Sequence, residues 1–244
     1  MKKALIVLAV LAVLIAGGVY WAYNSLDVIV KVALEHYGPG VVGVSLKVGD
    51  VTISPRDGRG SLKGVEIGNP PGFSAPRAAL LGEVAVALDP ATIRSPVVLV
   101  HEIVIDAPLI TYERAKGSTN LEAIQKNIEA YVKRAEAAST GGTENTPDGK
   151  SVQHKFVVER LAIRGAKVTM TSAGLKNQGV TFELPDIELR DIGKHQGGVS
   201  ASQVANTVAN ALIGRIAQKV LTNFDLLRKG GVEGAVDALR GLLK

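Results

Sequence analysis

The feature that most constrains this chain is an uncharged run of twenty residues from Ala4 to Tyr23, which directly follows two lysines. A helix of that length covers about 30 Å, the hydrocarbon thickness of a bilayer. A cleaved signal peptide is the alternative, but its apolar region is shorter and ends in small residues. This run ends in Tyr20, Trp21 and Tyr23, whose rings favour the membrane interface. The pattern therefore predicts a retained transmembrane anchor over residues 1–23.

The flanking charges predict the orientation of the anchor. Lys2 and Lys3 place the N-terminus in the cytoplasm by the positive-inside rule, so the rest of the chain lies across the membrane. Residues 24–40 have apolar positions at helical spacing and end in Gly38-Pro39-Gly40. We expect a juxtamembrane amphipathic helix there, which packs on the following domain in preference to lying at the bilayer surface.

The composition excludes several classes of function. The formal net charge of +5 is spread along the chain, and aromatic residues make up only 4%. A nucleic-acid groove needs clustered Lys and Arg with interleaved aromatic side chains, so we expect no nucleic-acid partner. The absence of cysteine excludes disulfides, thiolate nucleophiles and cysteine-based zinc sites.

From Val44 onward the apolar period changes to two, which indicates β-strands. We expect a first β-sheet segment with one helix over 41–138, a flexible linker over 139–150, a second sheet segment over 151–200 and C-terminal helices over 201–244. The predicted strands are Ser45–Ile53, Gly60–Ile67, Glu83–Leu88, Val97–Ile105, Leu109–Glu113, Lys155–Ile163, Lys167–Thr171, Gly179–Glu183 and Ile187–Arg190.

One segment resembles another at an offset of 58 residues. His101 to Glu113 reads HEIVIDAPLITYE, and Glu159 to Thr171 reads ERLAIRGAKVTMT. Both predict a strand, a corner of small residues and a second strand, with Ala107 aligned to Gly165. A repeated two-strand unit indicates a sheet that grows by adding similar corners.

The predicted strands are apolar on both faces, whereas an antiparallel sheet usually turns one polar face to water. In one explanation the helices over 120–138 and 201–243 cover the second face. In the other, one face lines an apolar trough for acyl chains. That face would carry six side chains: Val98, Val100, Val104, Phe156, Val158 and Ala162.

The sequence contains no recognisable catalytic constellation, and we expect no enzyme activity and no cofactor. The four histidines have no partner at a metal-ligand spacing, and G-x-S-x-G is absent. The stretch GVEIGNPPGFSAP, residues 64–76, has the spacing of neither a phosphate loop nor a dinucleotide loop. Its prolines also lack the N–H groups that a phosphate nest needs, so we interpret it as a connector.

The same stretch carries a resemblance to a known family. The order of the basic start, the membrane helix, the amphipathic helix and G-S-L-K-G-V-E-I-G-N-P-P-G-F-S resembles the AsmA-like envelope proteins of Gram-negative bacteria. A family pattern "L-x-I-x-N-P-x-G-F" corresponds to Leu62–Phe73, and an "A-x-V-x-L-D" strand to Val84–Asp89. The pattern "I-x-I-x-x-P-x-I-x-x-E" is matched by Ile103, Ile105, Pro108, Ile110 and Glu113, followed by Gly117–Leu121. The match covers residues 1 to 135.

The resemblance implies an α+β fold in which the transmembrane helix precedes a curved, mostly antiparallel, taco-like β-sheet with a helical insert and C-terminal helices. The family is similar to chorein-type bridge proteins, which conduct lipids. It implies bacterial inner-membrane anchoring, a periplasmic main domain, phospholipid or another acyl-chain lipid as the partner, and a role in envelope homeostasis. Other envelope proteins or self-association are further expected partners. This favours the apolar trough, although nine strands give a sheet only about 40 Å long. A non-catalytic adaptor subunit, whose helices fill the sheet, is the alternative.

Overall fold

The computed structural model describes residues 25–115, 117–140, 154–172 and 180–229. The predicted anchor, most of the predicted linker and the chain after residue 229 lie outside these ranges. The fold is α+β, with one large, mostly antiparallel open sheet and three helices. The helices are α1 (Leu26–Val42), α2 (Asn120–Thr140) and α3 (Ala201–Lys229). The strands are β1 (Leu46–Lys47), β2 (Asp50–Ser54), β3 (Arg59–Gly68), β4 (Arg77–Leu88), β5 (Val97–Asp106), β6 (Leu109–Ala115), β7 (Ser118–Thr119), β8 (Lys155–Arg164), β9 (Lys167–Ser172), β10 (Val180–Glu183) and β11 (Ile187–Ile192).

No helix within the described ranges combines the length and the hydropathy needed to cross a bilayer. Helix α1 extends past the predicted stop at Gly38-Pro39-Gly40 and ends at Val42. Pro39 lies inside the last turn of this helix. Gly43 then ends the helix in the left-handed conformation, with its N–H donating to the Pro39 carbonyl at 2.8 Å.

The main strands form six rows, because some of them lie end to end and share a row. From one edge to the other the rows are β1 with β2, β3, β4, β5 with β6, β8 with β9, and β11 with β10. Six rows span about 24 Å at 4.8 Å per spacing. The extent of about 40 Å, expected from nine strands lying side by side, is therefore wrong. Two strands joined by a corner occupy one row and do not extend the sheet further.

The internal similarity is a structural repeat. The two segments are neighbours in the sheet and pair in parallel at the same offset of 58, with Ile105 opposite Ile163 and Thr111 opposite Thr169. Parallel neighbours need a crossover connection, and α2 lies in the connection between the two copies. This parallel pairing is the main departure from an antiparallel sheet.

A line of backbone corners crosses the sheet. Gly64, Ala107 and Gly165 all have positive φ, of 62°, 47° and 60°, in three different rows. A residue in this conformation shifts the alternation of side chains by one position. Ile163 before the corner and Ala166 after it are consequently both buried on the same side, although they are three residues apart. The corners thus keep one face apolar along its whole length.

The left-handed conformation of Gly165 and Ala107 leads to a testable prediction about backbone strain. A Cβ at Gly165 would meet only ordinary contacts, at 3.9 Å from Ala107 Cα, so Gly165→Ala adds conformational strain without a clash. We expect it to lower the free energy of unfolding by about 1 kcal/mol. Ala107→Gly relieves the same strain and is expected to raise that free energy by up to about 1 kcal/mol. Urea unfolding of both variants measures the two effects, and shifts of the same sign would contradict this account of the corner.

All three helices pack on one face of the sheet, which we call the covered face. Its central side chains are Ile103, Leu161 and Ile163, and α3 contributes the fully buried Ile216 to the same cluster. A second cluster joins Val30 and Leu34 of α1 to the β2 and β3 end of the sheet. The opposite face, which we call the open face, carries Ser61, Ala85, Val104, Ala162 and Glu188, one from each of five rows.

Helix α1 also covers one edge of the sheet. Asp27 Oδ1 accepts from the Ile53 backbone N–H at 2.8 Å, and Glu35 Oε1 accepts from the Val48 N–H at 2.9 Å. Between them Lys31 Nζ donates to the Gly49 carbonyl at 2.7 Å. Side chains at i, i+4 and i+8 share one face of a helix, so three polar groups of α1 satisfy backbone groups of the β1–β2 edge. Covering an edge in this way protects it from pairing with another chain.

Candidate functional site

The open face holds a groove of about 430 Å³ between β2 and β5. No residue of the three described helices lines it. Its lining residues are Thr52, Ser54, Arg59, Gly60, Ser61, Ala85, Val86, Ala87, Glu102 and Val104. The groove exists because Ala85 and Ala87 occupy alternate positions of β4, where larger side chains would fill the space.

The groove has an apolar floor and a polar rim. Methyl groups of Ala85, Ala87 and Val104 form the floor, and the hydroxyl groups of β2 and β3 stand at the rim. Ser61 donates from Oγ to Glu83, so part of the rim is held by a hydrogen bond. Ligand pockets of 300–1,000 Å³ typically combine apolar walls with a few polar groups, and this groove lies toward the small end of that range.

Charged side chains at the two ends of the groove differ in their pairing. At one end Glu102 is paired with Arg160, which also donates to Glu188 at 3.5 Å. That hydrogen bond holds the pKa of Glu188 below its ordinary value, and it raises the pKa of Arg160. At the other end Arg59 is exposed and has no ion-pair partner among the described residues. Arg59 is therefore the one cation among the lining residues, and in register it flanks Ala87 on the side opposite Glu102.

The six residues predicted to contact lipid do not form one surface. Ala87 pairs with Glu102 and Leu88 with Val100, so His101 is an extra residue, a β-bulge that shifts the alternation in β5. Val100 and Val158 consequently belong to the buried cluster of the covered face. Val104 lines the groove on the open face.

The other predicted residues divide in the same way. Phe156 packs against the core of the covered face, and Val98, its register partner, is buried two positions before Val100. Ala162 pairs with Val104 and shares the open face without lining the groove. The predicted grouping of the six on one face is wrong because a bulge depends on the neighbouring strand. Tyr20, Trp21 and Tyr23 lie outside the described residues.

Sequence reasoning did not identify Thr52, Ser54, Arg59, Ser61, Ala85 or Ala87. One signal was present in the predicted strand Glu83–Leu88, where two alanines alternate with two valines. Small residues at alternate strand positions leave room on one face. The residues that β2 and β3 contribute to the groove depend on how these strands pair with β4. The alternation within a single strand carries no information about that pairing.

A second polar cluster fixes the connector after β3. The carboxylate of Glu113, only 1% exposed, accepts from Ser74 N–H at 2.6 Å, Ala75 N–H at 2.8 Å and Asn69 Nδ2 at 2.9 Å. Asn120 is fully buried, donates to Asn69 Oδ1 and accepts from the Glu113 N–H. Asn69, Glu113 and Asn120 therefore form one network, which ties the connector to the sheet and to the start of α2.

The arrangement gives no evidence of catalytic chemistry in the described part of the chain. No group of three His, Asp or Glu side chains suited to a metal ion occurs among those residues. His101 pairs with Glu159 at 2.9 Å on the exposed surface. The open face offers methyl groups on the floor of the groove and one cation, Arg59, among its lining residues.

Comparison with known proteins adds no relative to this description: no protein-family model matches the chain, and no curated protein matches it.

Proposed function

We propose that this protein is a lipid-binding or lipid-transfer module of AsmA-like type, anchored in the bacterial inner membrane with its main domain in the periplasm, and that it serves envelope biogenesis or homeostasis. The observation that carries the proposal is the groove on the open face. In this proposal the protein binds a phospholipid or another acyl-chain lipid and catalyses no reaction.

The groove fits part of a lipid better than it fits a small polar metabolite. An acyl chain would lie against the methyl groups of Ala85, Ala87 and Val104, where it buries apolar surface at about 25 cal/mol per Å². The phosphate of the same molecule would lie at Arg59, the cation without a partner in the described structure. At about 430 Å³ the groove holds one chain or one head group, while the rest of the lipid stays in contact with solvent or membrane.

A curved, taco-like sheet belongs to the same proposal. Its support is the line of corners, since Gly64, Ala107 and Gly165 adopt the left-handed conformation in three of the six rows. With about 24 Å between the outer rows, one copy does not bridge a periplasm. We therefore propose that it extracts or shields a lipid near the inner membrane, or acts in series with other envelope proteins or further copies of itself.

A second candidate is a non-catalytic adaptor subunit of an envelope complex. The observation that favours it is the filling of the apolar face by the protein's own helices, which leaves no apolar trough on that face in the described structure. The two candidates differ in whether lipid accompanies the purified protein.

Native mass spectrometry of the full chain, extracted from membranes in mild detergent, tests the proposal. We expect phospholipid bound to the wild-type chain and several-fold less on Ala85→Leu, because the added side chain fills the groove. Ala130→Leu is the matched control, since residue 130 is exposed on α2 and remote from the groove residues. Circular dichroism checks that both variants are folded.

Two results would reject lipid binding in this groove. One is a wild-type chain that carries no lipid. The other is equal lipid on the wild type and on Ala85→Leu. A lipid-free chain that keeps a stable protein partner through purification would favour the adaptor.

A further inference from the structure

Helix α1 has two apolar faces, and only one of them is used by the fold. Val30 and Leu34 pack against the β2 and β3 end of the sheet. Val28, Ile29 and Val32 point away from it and are 63%, 46% and 59% exposed. We call these three residues the outer stripe.

The outer stripe is a concentration of apolar surface. The described residues include seven exposed large hydrophobic side chains, and four of them are on α1: the outer stripe and Tyr37, which is 71% exposed. Single exposed hydrophobic residues are normal on protein surfaces, but a contiguous group marks an interaction site. Three polar residues of α1, Asp27, Lys31 and Glu35, are bonded to the backbone of the sheet edge. The exposed His36 follows Val32 by one turn and adds a polar ring to the outer side of the helix.

The position of α1 in the chain identifies the partner. The uncharged run ends at Tyr23, and α1 begins at Leu26. Three residue steps reach at most about 11 Å. Val32 is then about 9 Å further along the helix axis. If Tyr23 marks the membrane interface, as its position at the end of the run predicts, the outer stripe is within reach of the same bilayer surface.

We infer that α1 lies along the bilayer surface, with the outer stripe inserted among the lipid head groups and the first carbons of the acyl chains. This inference rests on the membrane anchoring proposed above. An amphipathic helix in this arrangement buries its apolar side about 5–10 Å below the surface. The exposed ring of Tyr37 suits the same depth, since tyrosine prefers the interface.

The inferred contact also orients the sheet. The opposite side of α1 packs on β1 and β2, so the β1–β2 edge is the one nearest the membrane. Thr52 and Ser54 of β2 line the groove. The groove therefore begins in the row nearest the bilayer, where a lipid leaving the membrane would first meet the sheet.

Site-directed spin labelling tests the inference directly, because the chain contains no cysteine. The full-length Val32→Cys protein is labelled and placed in bilayer nanodiscs of phosphatidylethanolamine and phosphatidylglycerol. Val180→Cys is the matched control, an exposed valine in β10 at the opposite edge of the sheet. Power saturation then compares collision of each label with oxygen, which concentrates in lipid, and with a water-soluble nickel chelate.

We expect the ratio of oxygen to nickel collisions to be several-fold higher for the label at position 32 than for the label at position 180. Equal ratios would overturn the inference. A label at position 32 that is shielded from both reagents would also overturn it, since such shielding indicates a second copy or another protein on the stripe.

Alkaline extraction of cell membranes that contain the protein tests the membrane anchor separately from the contact of the outer stripe. A chain that stays with the membrane while the label at position 32 remains in water refutes the stripe contact and leaves the anchor intact. A chain that washes off the membrane refutes both.

Discussion

Val100→Asp is expected to unfold the protein, whereas Val104→Asp, four residues along the same strand, is expected to leave it folded. Both side chains are buried, at 5% and 9% exposed, but Val100 lies in the core of the covered face, whereas Val104 lines a groove that opens to solvent. An unpaired carboxylate buried at position 100 costs several kcal/mol, a large part of the 5–15 kcal/mol that stabilises a typical domain. At position 104 the carboxylate reaches water in the groove.

Circular dichroism and urea unfolding of the two full-length variants measure this difference. The two substitutions are chemically identical, so only their position relative to the bulge at His101 distinguishes them. A folded Val100→Asp variant, or a Val104→Asp variant that unfolds as readily, would contradict the assignment of the two faces. If lipid binds in the groove, Val104→Asp is also expected to lose it, because the new charge sits on the apolar floor.

Glu113→Ala is expected to produce the second large loss of stability. Its carboxylate is buried and accepts three hydrogen bonds, two from the backbone of the connector and one from Asn69. Removing it leaves three donors without their acceptor, at about 1–3 kcal/mol for each donor that water does not reach. We expect a decrease of about 3 kcal/mol or more in the free energy of unfolding, measured by urea denaturation.

Glu66→Ala is the control for this change. Glu66 is also a strand carboxylate, but its ion pair with Arg77 is exposed, and such pairs contribute at most about 1 kcal/mol. Glu113→Gln is expected to fall between the two, since its amide keeps one acceptor oxygen and turns a donor toward the remaining N–H groups. Equal effects of Glu113→Ala and Glu66→Ala would show that the buried network does not hold the connector.

The strands were predictable from the sequence because their signal is local. Eight of the nine predicted strands exist as single strands within a few residues of their expected bounds, although β4 begins six residues earlier, at Arg77. The ninth, Ser45–Ile53, is divided into β1 and β2. The two repeated segments pair in parallel, and each residue lies opposite the residue 58 positions later. This register places the two similar corners side by side in neighbouring rows. Helix α2 begins at Asn120, the first residue of the helix expected over 120–138.

The candidate site was much less predictable, because its geometry depends on pairing between strands. The bulge at His101 arises from the register with β4 and cannot be read from the alternation of β5 alone. Strict alternation of side chains along β5 therefore predicts Val100 and Val104 on the same face, although the fold places them on opposite faces. The network of Asn69, Glu113 and Asn120 joins residues 44 and 51 positions apart, a separation that no local sequence pattern bridges.

Photo-crosslinking at Thr52 is the most direct test of the central claim that the open face binds lipid in its groove. Thr52 is exposed at the rim of the groove, so a photoreactive benzoylphenylalanine at this position is expected to be tolerated. Thr181, exposed on β10 at the far edge of the sheet, is the matched control. After irradiation of cells, we predict a phospholipid adduct by mass spectrometry on the chain substituted at position 52 and none at position 181. Absence of an adduct at position 52, or equal adducts at both positions, would contradict the claim.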